Sequence, residues 1–194
     1  NKQLKLSQAL REDPSSQGVW GVLRSLPKLA RLWAHGVSLD KAVAATLLFE
    51  GSRMEVDMQK KVLGPLVSRA GGVWSGSGSG EAGYALTFAI AYLRDFGLDY
   101  RILSESLETM APWSVIKGVW PAVVAAVEAE HQALHVPGRP FLSCRMTQLY
   151  DEGAVLYMYM AVSTAGLEPP RALEVFHRLE HVARTAVLDA GGCL

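Results

Sequence analysis

The sequence predicts an α+β domain, with an antiparallel or mixed β-sheet that has helices packed on one face. Two observations support this class. Segments in which apolar residues recur at helical spacing alternate along the chain with segments that have the two-residue period of a strand. Near the C-terminus, two strand-like segments at 142–150 and 154–162 are separated only by the turn sequence DEG, which indicates a hairpin and therefore an antiparallel pair.

The other elements follow from the same patterns, read in order along the chain. Gly97 suits the end of a helix, while Pro112 and the pair Pro169 and Pro170 suit first helical turns. Helices are thus predicted at 17–35, 53–69, 84–97, 112–135 and 169–190, and strands at 42–51, 71–74 and 100–108 in addition to the hairpin.

The bulk properties fit one soluble globular domain of 194 residues with a single sizeable core. Lys plus Arg and Asp plus Glu both number 19, so net charge gives no indication of nucleic-acid binding. Two cysteines form no disulfide framework and no CxxC metal pair. The first ten residues lack the apolar segment of a signal peptide, and LDAGGCL stops where an extended element should begin. We therefore interpret the chain as a fragment of a larger protein.

The segment YDEGAVLYMYM, 150–160, carries two phenols at alternate positions. In a strand, Tyr157 and Tyr159 would lie on one face, with Leu156, Met158 and Met160 on the other. Two interpretations follow from the residues alone. The phenols either pack in a core with their hydroxyls hydrogen-bonded, or face a pocket in which a phenol acts as an acid or base.

Two short motifs suggest chemistry but have simpler explanations. The sequence GSGEAG, 78–83, matches the glycine fingerprint that places a pyrophosphate at a helix N-terminus, yet serine-glycine repeats match it by chance and a mobile loop is favoured. The sequence HRLEH, 177–181, matches an inverted zinc-protease pattern, but only 13 residues follow His181 to supply a third ligand. The polar face of an amphipathic helix is favoured there, and no metal site is predicted.

A basic amphipathic helix is predicted at 17–35. No acidic residue lies between Asp13 and Asp40, and basic and tryptophan side chains share the segment with several leucines. That composition is typical of a helix lying in a membrane interface, although an ordinary amphipathic helix packed on a domain has the same periodicity. The residues predicted to face a membrane are Trp20, Arg24, Lys28, Arg31 and Trp33.

Several long stretches together carry a resemblance to a known family: NKQLKLSQAL, VAATLLFEG, GYALTFAIAYLRDFGLDYRILSESLETMAPW, and SCRMTQLYDEGAVLYMYMA followed by a helix and AGGCL. They resemble the alkyldihydroxyacetonephosphate synthases, flavoenzymes that make the ether bond of ether lipids. The resemblance runs over nearly the whole chain in the same order and spacing. It implies that 1–194 is the substrate-facing cap domain of a vanillyl-alcohol-oxidase-type flavoprotein, with the FAD-binding domain upstream and a histidine-rich catalytic segment downstream.

The resemblance also implies a reaction and residue roles. The family uses FAD without net redox change to exchange the acyl group of acyl-dihydroxyacetone phosphate for a long-chain fatty alcohol. Tyr157 matches the family's acid or base, Arg94 its phosphate- or head-group-binding arginine, and Ser106 a polar residue of the substrate pocket. Tyr159 is interpreted as a packing residue. Alone, the fragment is expected to lack both FAD and activity.

The same resemblance implies a lipid setting. It favours a membrane-facing role for helix 17–35, as a gate for acyl chains, at the lumenal face of a peroxisomal or glycosomal membrane, and a homodimer. No nucleic-acid partner is expected. Two alternatives remain open: the cap domain of an FAD-linked 2-hydroxyacid dehydrogenase, which shares the fold, and a non-catalytic membrane-binding module that uses helix 17–35.

Overall fold

A computed structural model describes residues 43–74, 77 and 92–194 of the chain. The chain divides into two compact units, Asn1–Ile90 and Ala91–Leu194. The predicted basic helix 17–35 and the GSGEAG motif lie outside the described residues, as does the first part of the predicted helix 84–97.

In the first unit, helix α1 spans Arg53–Arg69, as predicted. A capping box fixes its start: the Ser52 hydroxyl accepts from the backbone N–H of Glu55, and the backbone N–H of Ser52 donates to the Glu55 carboxylate at 2.6 Å. The predicted strands at 42–51 and 71–74 are wrong, since 43–50 and 72–74 have no regular structure. Gly71, with a φ of +74°, and Gly72 instead bond back to the last turn of α1 and end it.

The second unit contains an antiparallel sheet with the strand order β1-β3-β2. Strands β2 (Phe141–Leu149) and β3 (Gly153–Ser163) form the predicted hairpin, and β1 (Ile102–Pro112) pairs with the other edge of β3. Strand β1 is longer than the predicted strand at 100–108, because its pairing with β3 continues to Pro112. The prediction that Pro112 begins the next helix is therefore wrong, because Pro112 is the last residue of β1. Helix α2 begins four residues later.

Helices α2 (Ile116–Ala133) and α3 (Pro169–Asp189) share one hydrophobic core with the sheet. The helices contribute fully buried valines and Leu179, and the strands contribute Leu156, Met158 and Met160. Replacing one such leucine by alanine typically costs about 2–5 kcal/mol. The Arg178 guanidinium on α3 lies 2.5 Å from the Glu130 carboxylate on α2 and joins the two helices. The predicted α+β class, with helices on one face of an antiparallel sheet, is confirmed.

A shorter helical segment at 92–99 precedes the sheet and continues two residues beyond its predicted end at Gly97. Within the part of the chain that the structure describes, no helix is both long and apolar enough to cross a bilayer.

The start of β3 lies unusually close to the end of β1. A Cβ atom added to Gly153 would lie 2.3 Å from the carbonyl oxygen of Ala111 and 3.0 Å from the Cα atom of Pro112. Backbone atoms cannot yield as a flexible side chain does, so only glycine fits here. This contact explains why the turn sequence DEG ends in glycine.

Gly153→Ala is expected to lower the free energy of unfolding by about 1–3 kcal/mol, because the added methyl group overlaps the β1 backbone. Gly118→Ala is the matched control. Gly118 lies in α2 with nothing within 4 Å of an added Cβ, so this change should be neutral or stabilise by up to about 1 kcal/mol. Urea denaturation of both variants tests the expectation, and equal stabilities would contradict it.

Candidate functional site

The central strand β3 separates two kinds of side chain. Leu156, Met158 and Met160 are buried in the core, while Tyr157 and Tyr159 are only partly buried and point to the opposite face of the sheet. The predicted alternation is thus confirmed. The opposite face places both phenols beside polar side chains from β1 and β2, and these residues form the candidate site: Ser106, Glu108, Arg145, Tyr157 and Tyr159.

The Tyr157 hydroxyl is hydrogen-bonded to the Ser106 hydroxyl, with 2.9 Å between the two oxygens. In the β1–β3 register Ser106 lies directly opposite Tyr159 and Tyr157 opposite Glu108, so the bond runs diagonally across the pair. Either hydroxyl can be the donor. Ser106 can therefore accept from a neutral phenol or donate to a phenolate without any change of position.

Arg145 approaches Tyr157 from the other side, because β2 places it directly opposite Tyr157. Its guanidinium carbon lies 4.9 Å from the centroid of the Tyr157 ring and 5.6 Å from that of Tyr159. The two rings are themselves 4.9 Å apart and inclined at 48°. Both distances from Arg145 lie within the range of cation–π attraction. The guanidinium and the two phenols thus form one cluster.

A β-bulge between Met146 and Gln148 sets this pairing. Near the turn, Leu149 lies opposite Ala154, but beyond the bulge the register has moved by one residue and Arg145 lies opposite Tyr157. Without the shift, Arg145 would pair with Met158. The extra residue therefore keeps Arg145 on the phenol face, a use of bulges that is common next to functional sites.

The charges around the phenols are of both signs. Across the three strands, Tyr157 has Glu108 on one side and Arg145 on the other. For Tyr159, burial raises the pKa of the phenol above its usual value of 10.0; the nearby Arg145 cation acts in the opposite direction, and Tyr157 and Glu108 add to the increase. Tyr159 thus keeps its proton to a higher pH than a fully exposed tyrosine does.

Of the predicted site residues, the structure brings Tyr157 and Ser106 into direct contact. Arg94 lies exposed on the helical segment 92–99, and within the described residues no contact joins it to that pair. The predicted membrane-facing residues lie outside the described part of the chain. Sequence reasoning missed Arg145, although the alternation of Leu142, Cys144 and Met146 in β2 already assigns Arg145 to the other face.

The HRLEH motif has an ordinary structural explanation. His177 Nδ1 lies 3.8 Å from Glu180, whose carboxylate also accepts two hydrogen bonds from Arg184, at 2.7 and 3.1 Å. These pairs at three- and four-residue spacing are typical of a solvated helix face. In residues 43–74, 77 and 92–194, no three His, Cys, Asp or Glu side chains converge as metal ligands would.

The whole chain, residues 1–194, matches the family described as FAD linked oxidases, C-terminal domain. This chain is a member of that family. A curated relative, alkyldihydroxyacetonephosphate synthase of Caenorhabditis elegans, is 37% identical over 195 residues. The alignment covers all of this chain but 32% of the relative, so the chain spans about a third of that protein.

Solved structures give the same fold. Alkyldihydroxyacetonephosphate synthase in crystal form P212121 matches with a TM-score of 0.59 and 17% identity, covering 75% of this chain and 26% of the other. Its P1 crystal form matches with a TM-score of 0.56 and 17% identity, covering 75% and 25%. At this identity the likeness concerns the fold, and it agrees with the antiparallel sheet and helices described above.

The family name implies FAD, and the candidate site has groups that could contact the ring system of that molecule. The phenols and guanidinium of the candidate site are groups that can contact a planar, polar ring system or an anionic substrate. In the described ranges no glycine-rich turn leads from a strand to a helix N-terminus, the arrangement that holds a dinucleotide pyrophosphate. The candidate site thus contains groups of the kinds that could contact the ring system of FAD.

Cys144 provides a test of the strand faces, because it is the neighbour of Arg145 on the core side of β2. Burial raises the pKa of its thiol from 9.0 to about 11. At pH 8 the thiolate fraction should then be about 100-fold lower than for an ordinary thiol, because each pKa unit is a factor of ten. Iodoacetamide should therefore label Cys144 about 100-fold more slowly than N-acetylcysteine, with a rate that rises up to about pH 11.

Mass spectrometry of the labelled peptides measures this rate, and the exposed Cys193 serves as the internal control that reacts first. Rapid labelling of Cys144 at pH 8 would contradict the assignment, since Cys144 would then face solvent and Arg145 the core.

Proposed function

We propose that the protein carrying this chain forms the ether bond of ether lipids, as an FAD-dependent transferase of the alkyldihydroxyacetonephosphate synthase kind. Family membership and the 37% identity to a synthase over the full chain support this proposal. The observation that carries the chemistry is the Ser106–Tyr157 hydrogen bond on the sheet face opposite the helices. It joins the two residues for which the family resemblance implies site roles.

The proposed reaction converts acyl-dihydroxyacetone phosphate and a fatty alcohol into alkyl-dihydroxyacetone phosphate and a fatty acid. The bond between the substrate carbon and the acyl ester oxygen breaks, and a bond from that carbon to the alcohol oxygen forms. The alcohol proton leaves with the departing carboxylate, so no electrons are gained or lost. Bound FAD would supply the group that holds the substrate carbon during this exchange.

Tyr157 is proposed to move a proton at the reacting carbon. As a phenolate it accepts the proton that leaves the carbon bearing the acyl ester, and as a phenol it returns that proton when the ether is formed. Ser106 supports both states, because its hydroxyl can donate to the phenolate and accept from the phenol at the same distance. Arg94 is proposed to bind the substrate phosphate, a role that suits a planar guanidinium.

Tyr157→Phe in the full-length, FAD-loaded protein should lower the turnover of acyl-dihydroxyacetone phosphate by about 100-fold or more, because a positioned acid–base group typically contributes that much. Ser106→Ala should lower it less, by about tenfold, since it removes one neutral hydrogen bond. The flavin absorbance, followed after addition of acyl-dihydroxyacetone phosphate without an electron acceptor, and the alkyl product are measured together. In the wild type, the substrate-induced absorbance change should reverse when fatty alcohol is added.

Tyr150→Phe is the matched control, because Tyr150 lies exposed in the hairpin turn and, among the described residues, its hydroxyl donates to Gln148. It should leave turnover unchanged. The proposal would be contradicted if the flavin absorbance did not change on addition of acyl-dihydroxyacetone phosphate but the flavin was reduced by a 2-hydroxyacid. That result would favour the dehydrogenase alternative. Full activity of Tyr157→Phe would return Tyr157 to a packing role.

We also propose that helix 17–35 faces a membrane and admits the acyl chain, at the lumenal side of a peroxisome or glycosome, in a protein that forms a homodimer. The absence of acidic residues between Asp13 and Asp40, together with Trp20 and Trp33, supports the membrane contact. A triple change of Arg24, Lys28 and Arg31 to Gln should lower binding to anionic vesicles by about 100-fold, at roughly 1 kcal/mol per basic residue.

Co-sedimentation with vesicles that contain phosphatidylserine measures this binding. The control variant replaces Lys117, Arg171 and Arg184 of α2 and α3 by Gln and should bind as the wild type does. Equal binding by the Arg24, Lys28 and Arg31 variant would remove the membrane role from helix 17–35. Vesicle binding by a protein without transferase activity would favour the membrane-module alternative.

A further inference from the structure

We propose that Arg145 is a positioning residue for Tyr157, whose phenol ring its guanidinium holds in place. The inference rests on the proposed function of Tyr157 and adds a residue that the family resemblance did not assign. The observation behind it is the place of Arg145 directly opposite Tyr157, with its guanidinium carbon 4.9 Å from the ring centroid.

The contact restrains the ring from the side that Ser106 does not reach. Ser106 holds the hydroxyl from β1, Arg145 covers the ring from β2, and Tyr159 packs on it from the next position along β3. The phenol is therefore contacted from all three strands. A ring held on these sides keeps its oxygen at one position, and a displacement of about 1 Å in an active site can cost about 100-fold in rate.

The charge of Arg145 matters as well as its shape. Across the three strands Tyr157 lies between the Glu108 carboxylate on β1 and the Arg145 guanidinium on β2, so Arg145 is the cation placed at its ring. Arginine remains charged at every relevant pH, and its flat guanidinium stacks on a ring as an ammonium group does not. Lysine at this position would keep the charge but lose the stacked geometry.

The position of Arg145 depends on an irregularity in the sheet. The bulge at residue 147 interrupts the β2–β3 ladder and moves the register by one residue, and the move gives Arg145 its position opposite Tyr157. Arg145 forms no ion pair with a carboxylate among the described residues. In that part of the chain, its partners are the two phenols.

The test is a double-mutant cycle in the full-length, FAD-loaded protein. Arg145→Ala should lower kcat for acyl-dihydroxyacetone phosphate by about 10- to 100-fold, with little change in KM, because the residue acts through Tyr157. In a Tyr157→Phe background, the same Arg145→Ala change should cost less than about threefold, since residues that act as a unit lose activity once and not twice. Arg145→Lys should recover part of the loss.

Arg184→Ala, on the helix side of the domain, is the matched arginine control and should leave kcat unchanged in both backgrounds. Melting temperature and FAD content are measured for every variant, and Arg145→Lys provides the folded comparison if Arg145→Ala proves unstable. The proposal would be overturned if the losses caused by Arg145→Ala and Tyr157→Phe multiplied in the double variant, or if Arg145→Ala changed only KM. Arg145 would then be a binding residue for the substrate phosphate. An Arg145→Ala variant with wild-type kcat would overturn it outright.

These outcomes separate the two proposals. If the wild-type protein forms no ether product, the proposed function is wrong. The positioning role of Arg145, which depends on that function, is then wrong as well. If the wild type is active and Tyr157→Phe is slower by about 100-fold, the proposed function stands, and the cycle with Arg145→Ala decides the positioning role.

Discussion

The two-residue alternation of β3 is the constraint on which the rest of the second unit depends. This strand is central, pairs on both edges, and sends Met158 into the helix-covered core while it sends Tyr157 to the opposite face. A slip of one residue would exchange the two sets, burying phenols and exposing methionines. Because burial of each large apolar side chain is worth about 1.5–3 kcal/mol, the core residues fix the direction of the phenols. The packing of the fold and the orientation of the candidate site therefore have the same cause.

The bulge extends this constraint to β2. Leu142 and Cys144 pack one face of β2 against the core, and the bulge reconciles that packing with the register set by the DEG turn. Arg145 reaches the phenols as a consequence of that reconciliation. One irregularity in the ladder thus keeps the apolar side chains of β2 on the core face and Arg145 on the opposite face.

Local patterns in the sequence were sufficient for some elements and not for others. The helix 53–69, the DEG hairpin and the proline start of α3 follow from short stretches of sequence, and the structure confirms each of them. The segments 42–51 and 71–74 look like strands locally but pair with no described strand. Pro112 looks like a helix start, yet pairing with Gly153, 41 positions later, makes it the end of β1. Arg145 was missed for the same reason, since its neighbours depend on a register that only the assembled sheet defines.

That register is held at both ends of the β1–β3 pair by residues with no chemistry of their own. At one end Gly153 permits backbone contact with Ala111, and at the other the Thr164 backbone and hydroxyl both donate to the carbonyl of Arg101, at 2.7 and 2.9 Å. Ser106 and Tyr157 lie between these two anchors. A diagonal hydrogen bond of 2.9 Å tolerates no shift of a whole residue, which would move Ser106 by about 3.4 Å along the strand. The catalytic geometry proposed for the phenol thus depends as much on a glycine and a threonine at the sheet ends as on the serine that touches it.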